Sequence, residues 1–145
     1  MTRSNLIPRD SAREIPGMLA TLASYECMFG PYHPQTLALT TVLAVALCAA
    51  GSRGDGRRLL ERAVGDLTRH HGRHHPARIR ALEAWAGVLR EDGDWMTALP
   101  VQRELTECRT HLLGEDHADS VAAREHLSVT ISAVMGASVA RSPIS

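Results

Sequence analysis

Four histidines crowd one short stretch, His70, His71, His74 and His75. Imidazole both titrates near neutral pH and ligates transition metals. Neutral nitrogens gathered around one corner could hold Zn²⁺, Ni²⁺ or Cu²⁺, so these four are the candidate metal ligands. Gly72 interrupts helical geometry between the two pairs, and spacing alone does not make them converge. A pH-sensitive corner is the competing reading. Other chemistry is sparse. Cys27, Cys48 and Cys108 have no close spacing and read as free cytosolic thiols. Every basic residue is arginine, which leaves no amine for Schiff-base chemistry. Glu125 and His126 suggest an acid–base pair, but neighbours on a helix point about 100° apart. No Gly-rich phosphate loop, nucleophile elbow or zincin helix occurs, and no cofactor is expected.

One of the four histidines recurs. Gly30-Pro31-Tyr32-His33-Pro34, Gly72-Arg73-His74-His75-Pro76 and Gly114-Glu115-Asp116-His117-Ala118 repeat with a period of 42 residues, the mark of a stacked repeat. His33, His75 and His117 therefore share a structural task. Each precedes a helix start, where a polar side chain can satisfy free N–H groups.

Stepping by the same period brings Leu37, Ile79 and Val121 into one column, and Leu43, Trp85 and Leu127 into another. Ala44, Ala86 and Ser128 form a third, and Leu47, Leu89 and Ile131 a fourth. Each repeat reads as two helices, with apolar residues at three- and four-residue steps through Leu39, Leu43, Ala46 and Leu47, then through Leu60, Ala63, Val64 and Leu67. Gly51 and Gly93 close the first helix of a pair; Gly30, Gly72 and Gly114 close the second. Pro34 and Pro76 open the next first helix, where a missing N–H costs nothing. The phase runs second, first, second, first, second, first. Gly56 and Arg58 are poor helix residues where the second repeat has Ala98.

These columns resemble the tetratricopeptide repeat, and the 42-residue spacing with a Gly-x-x-His-Pro corner is similar to its kinesin light chain type. Trp85, Ala86, Leu89 and Ala98 carry the large, small, large and small positions of the pattern. The resemblance implies an all-α fold, a right-handed α-α superhelix (TPR-like solenoid) of about six antiparallel helices. Residues 1–13 are expected as an N-terminal arm, 14–135 as the helical repeat domain with corners near 30–34, 72–76 and 114–118, and 136–145 as a disordered tail. The family binds on a concave surface lined by first helices. By register, that surface takes in Thr41 and Val45, then Arg80, Glu83 and Arg90, then Glu125 and Val129. Paired hydrogen bonds from Arg80 and Arg90 would suit a carboxylate or an acidic peptide. Trp85 belongs to a core column, and Trp95 seals a turn between helices.

Composition agrees with a soluble, cytoplasmic domain. With 44% hydrophobic residues the chain can bury a core, and 16 basic against 16 acidic residues give no global pull toward nucleic acid or membrane. The first fifteen residues hold no apolar stretch of secretory type. The function expected is a protein or peptide interaction module, with a regulatory or assembly role. A small-molecule- or metal-responsive regulator is the alternative, and a small helical enzyme the third. The helix phase further leads to an expected homodimer or higher oligomer, in which the last helix of one copy and the first of another complete a pair.

Overall fold

Each first helix starts from a histidine whose ring does the work of an N-cap. In the computed structural model, which describes residues 3–141, His33 Nδ1 accepts from the Gln35 amide at 3.1 Å, His75 Nδ1 from Ala77 at 3.0 Å and His117 Nδ1 from Asp119 at 3.0 Å. The proline at the next position in two of these corners needs no partner, so the imidazole serves the second free amide. Helix ends are set by glycine. Gly51 and Gly93 have φ of 103° and 72°, a left-handed backbone that a Cβ would strain, and the three corner glycines end the second helices in the same way.

Six helices result: α1 (Arg3–Phe29), α2 (Pro34–Ala49), α3 (Arg53–His71), α4 (Pro76–Glu91), α5 (Trp95–Leu113) and α6 (Ala118–Arg141). Among the described residues there is no strand, and no helix is long and apolar enough to cross a membrane. Two boundaries differ from expectation. Helix α1 takes in residues 3–13, expected as an arm, and runs through both Pro8 and Pro16, each of which removes one backbone donor without ending the helix. At the other end α6 continues through Gly136 to Arg141, the last described residue. Residues 1–2 of the expected arm and 142–145 of the expected tail lie outside the described residues.

The chain forms two compact units, 1–84 and 85–145. In the first, α2 packs on both α1 and α3. Its core includes Leu37, Leu43, Ala44, Leu60, Ala63 and Leu67. In the second, α5 packs on α6 around Leu89, Ala98, Val101, Leu105 and Ala123. Helix α4 crosses the boundary between them.

A second polar contact ties each first helix down, three residues after the capping histidine. Thr36 Oγ1 donates to the Tyr25 carbonyl at 3.5 Å, and Ser120 Oγ to the Arg109 carbonyl at 3.1 Å. Between them in the repeat, Arg78 Nε donates to Thr68 Oγ1 at 2.7 Å and Nη1 to the Arg73 carbonyl at 2.8 Å. All three side chains are buried, so each contact fixes where a helix sits on its predecessor.

The core columns hold unevenly. Ala44 and Ala86 are fully buried, whereas Ser128 in the same column is exposed. Gly56 is no defect in α3. A Cβ there would lie 2.4 Å from Cys48 Sγ and 2.6 Å from the Ala44 carbonyl oxygen; glycine lets the α3 backbone press against α2.

Packing and caps can each be tested through stability. Gly56→Ala, although it raises helix propensity, should lower the urea unfolding free energy by about 1–3 kcal/mol through overpacking; equal or higher stability would mean that the backbones do not approach this closely. His117→Ala should cost about 1 kcal/mol and His117→Asn much less, because asparagine also caps. Equal losses from the two substitutions would show that the ring acts through something other than its acceptor nitrogen.

Candidate functional site

Helix α2 is apolar almost throughout, and its buried side includes Thr36, Leu37, Thr40, Thr41, Leu43, Ala44, Ala46 and Cys48. What remains outward is an apolar strip. Val42 is 51% and Val45 39% exposed, and a spacing of three residues puts both on one face of the helix. In the same unit, Arg80 and Glu83 are exposed on α4. The first unit thus offers apolar contact from α2 and charge from α4.

Two residues expected on this surface point elsewhere. Thr41 is buried and its hydroxyl donates to the Leu37 carbonyl at 3.0 Å. It closes on its own helix rather than facing a partner. In the second unit Arg90 is half-buried and donates from Nη1 to Gln102 Oε1 at 2.9 Å. Arg90 stands in the column of Cys48, which faces α3, so its guanidinium is directed at α5. Gln102, fully buried, also donates to the Ala123 carbonyl at 3.2 Å, and Thr106 donates to that carbonyl at 3.3 Å. Glu125 and Val129 are exposed on α6, Val129 by 54%.

Sequence reasoning missed Val42 and Gln102, yet both had signals. Val42 lies one helical step from Val45. Gln102 occupies the column of Leu60, so a glutamine replacing a core leucine and an arginine replacing a core cysteine announce a compensating polar pair.

The histidine corner holds four rings with separate engagements. His70 stacks on Tyr32 with ring centroids 4.1 Å apart, and His71 Nε2 donates to the Tyr32 carbonyl. His75 Nδ1 is occupied by the Ala77 amide, while His71 and His75 stand 5.2 Å apart at a 47° tilt. His74 is exposed and has an interaction of its own. Among the described residues no group of three or more His, Cys, Asp or Glu side chains is placed to hold a metal ion. His75 Nδ1 faces an amide and His71 Nε2 a carbonyl, so among the described residues the spacing of His70, His71, His74 and His75 is not matched by a convergent set of ring nitrogens. Burial, His71 and the Arg80 guanidinium together hold His75 below its ordinary value of 6.5.

An all-α succession of paired helices, with glycine turns and buried small residues at helix crossings, defines the class of helical-repeat proteins. Residues 36–77 match the tetratricopeptide repeat family. Crystal structures of nearly identical TPR-like repeats from a candidate kinesin light chain of Podosopora anserina superpose with a TM-score of 0.72, at 20% identity over 90% of this chain and 67% of that one. A form of those repeats with methionine substituted for one glutamine gives 0.71 at 20% identity over 92% and 68%. No curated protein matches the sequence significantly. The chain carries a tetratricopeptide repeat at residues 36–77, and its fold is that of the kinesin light chain TPR-like solenoids.

His75 makes the first unit acid-sensitive. Its folded form favours neutral imidazole, so the stability it supports is complete above pH 6.5 and is lost as pH falls through its lowered folded value. Urea midpoints measured between about pH 7.5 and 5 should fall more steeply with acid in the native protein than in His75→Asn, which caps without titrating. Parallel curves would remove His75 as the source.

Proposed function

We propose that the chain is a protein- or peptide-binding module whose contact surface in the first unit is the outward strip of α2, with the charged face of α4 selecting the partner. Tetratricopeptide repeats generally serve as protein-interaction scaffolds and the fold is typically non-enzymatic, which supports the class. The observation that carries the particular surface is the exposure of Val42 and Val45 on a helix whose other apolar residues are buried or half-buried. Water-exposed valines on a rigid helix gain by being covered, at about 25 cal/mol per Å² of apolar area removed from water.

Arg80 favours a segment carrying a carboxylate beside an apolar residue. Arg90 drops out of the reading, because recruiting it would strip the buried Gln102 carbonyl of its donor. An acidic, apolar peptide docked on α2 and reaching Arg80 is the partner whose chemistry fits.

Native protein and Val42→Glu/Val45→Glu would each be used to capture partners from the host under mild conditions, and affinities for the captured protein then measured. The double variant should bind at least about tenfold more weakly, the scale of losing a central apolar anchor, with its helical spectrum intact. Arg80→Glu should weaken binding in a salt-dependent way, and Glu61→Arg on exposed α3 should not. Unchanged affinity in the valine variant would overturn this surface.

A further inference from the structure

A cleft of about 290 Å³ opens within the first unit, lined from α1, α2 and α3 and from the corner at Pro31 and Tyr32. That is the lower end of the range for small-molecule sites, about 300–1,000 Å³. Its walls depart from what the repeat itself requires. Ala63 lines it where the next repeat has Leu105, Thr40 where it has Leu82, and Asp66 where it has Cys108. Leu82, Leu105 and Cys108 are all buried, so the fold accepts apolar filling at these columns. The first unit has instead opened the space with a small residue and lined it with polar ones.

Charges of both signs border the opening. Asp66 is buried and its carboxylate accepts from Arg69, which settles that pair. Two more charges flank the cleft, Glu26 from α1 and Arg62 from α3. Among the described residues no hydrogen bond or ion pair engages the Glu26 carboxylate or the Arg62 guanidinium. The cleft therefore presents one unpaired negative and one unpaired positive group from different helices, beside an apolar wall of Pro31 and Tyr32. A simple anion or cation would meet repulsion from one of them, and an apolar ligand would desolvate both without compensation. A zwitterion satisfies both at once.

We propose that this cleft binds a free α-amino acid, its carboxylate on Arg62, its ammonium on Glu26, and its side chain against Pro31 and Tyr32. The site is independent of the α2 strip, since it uses neither Val42 nor Val45. By joining α1 to α3, an occupant would stabilise the first unit in proportion to its concentration over its Kd.

The full chain, labelled with ¹⁵N, would be titrated by NMR with each proteinogenic L-amino acid to about 10 mM, above the Kd of even a millimolar site. At least one should shift the amide resonances of Tyr32, Ala63 and Asp66 saturably. Its N-acetyl and methyl ester forms should each bind at least about tenfold more weakly, having lost one charge-assisted contact. Arg62→Gln should weaken the amino acid by a similar factor. Ala63→Leu, which borrows the residue of the next repeat, should abolish the shifts while keeping spectral dispersion; should that variant fail to fold, Arg62→Gln and Glu26→Gln, both at exposed positions, decide. No saturable shift with any amino acid, undiminished binding of the ester, or shifts unchanged in the folded variants would overturn the proposal. Full retention by the N-acetyl form would also overturn it, in favour of a polypeptide C-terminus.

Discussion

A neutral imidazole at the start of each first helix is the constraint on which the rest depends. The free amides of a helix N-terminus need acceptors, and at these corners the acceptor is Nδ1 of His33, His75 or His117. Three residues on, Thr36, Arg78 or Ser120 reaches back to the preceding helix or corner. Together the two contacts define both where the helix begins and what it leans on. Every column of buried residues, and every outward strip, inherits its position from that pair of bonds. The cost falls at His75, where Nδ1 can accept only while unprotonated and burial with neighbouring charge already disfavours the charged ring.

Fold and register were legible because they are set by local chemistry that recurs. Glycine at a helix end, histidine before proline and small residues beside large ones each have one cheap structural use, and repeating them at 42 residues removes most ambiguity. The direction of individual side chains was harder to read. Thr41 and Arg90 occupy positions beside the core columns, and only the packed helices show that Thr41 bonds its own backbone and Arg90 turns to Gln102. A period fixes where a residue stands along a helix; burial depends on which neighbour covers that side. Gly56 shows the same limit. Propensity alone makes it a weakness in α3, and only the distance from its missing Cβ to Cys48 and Ala44 turns it into a packing requirement.

The repeat also provides an internal reference against which its exceptions can be interpreted. Cys48 and Leu60, both buried in the first unit, become Arg90 and Gln102 in the second, joined by a 2.9 Å hydrogen bond. Either member alone would leave a buried polar group without its partner, so the two substitutions make physical sense only together. The exceptions around Ala63 are of another kind. Opening space at Ala63 and lining it with Asp66 does not restore a lost contact; it forfeits the burial that Leu105 and Cys108 supply in the next repeat. Uncompensated loss of core is what a binding cleft costs.

Tyr32 connects the cleft to the histidine corner, and the connection has an asymmetry. Its ring, stacked on His70, and its carbonyl, held by His71 Nε2, are both served by imidazoles in a donor or stacking role. The neighbouring His75 is in the opposite position: it accepts, and protonation removes its acceptor. Acid should therefore act on the start of α4. The corner's histidines, although close in sequence, thus meet different partners through different nitrogens.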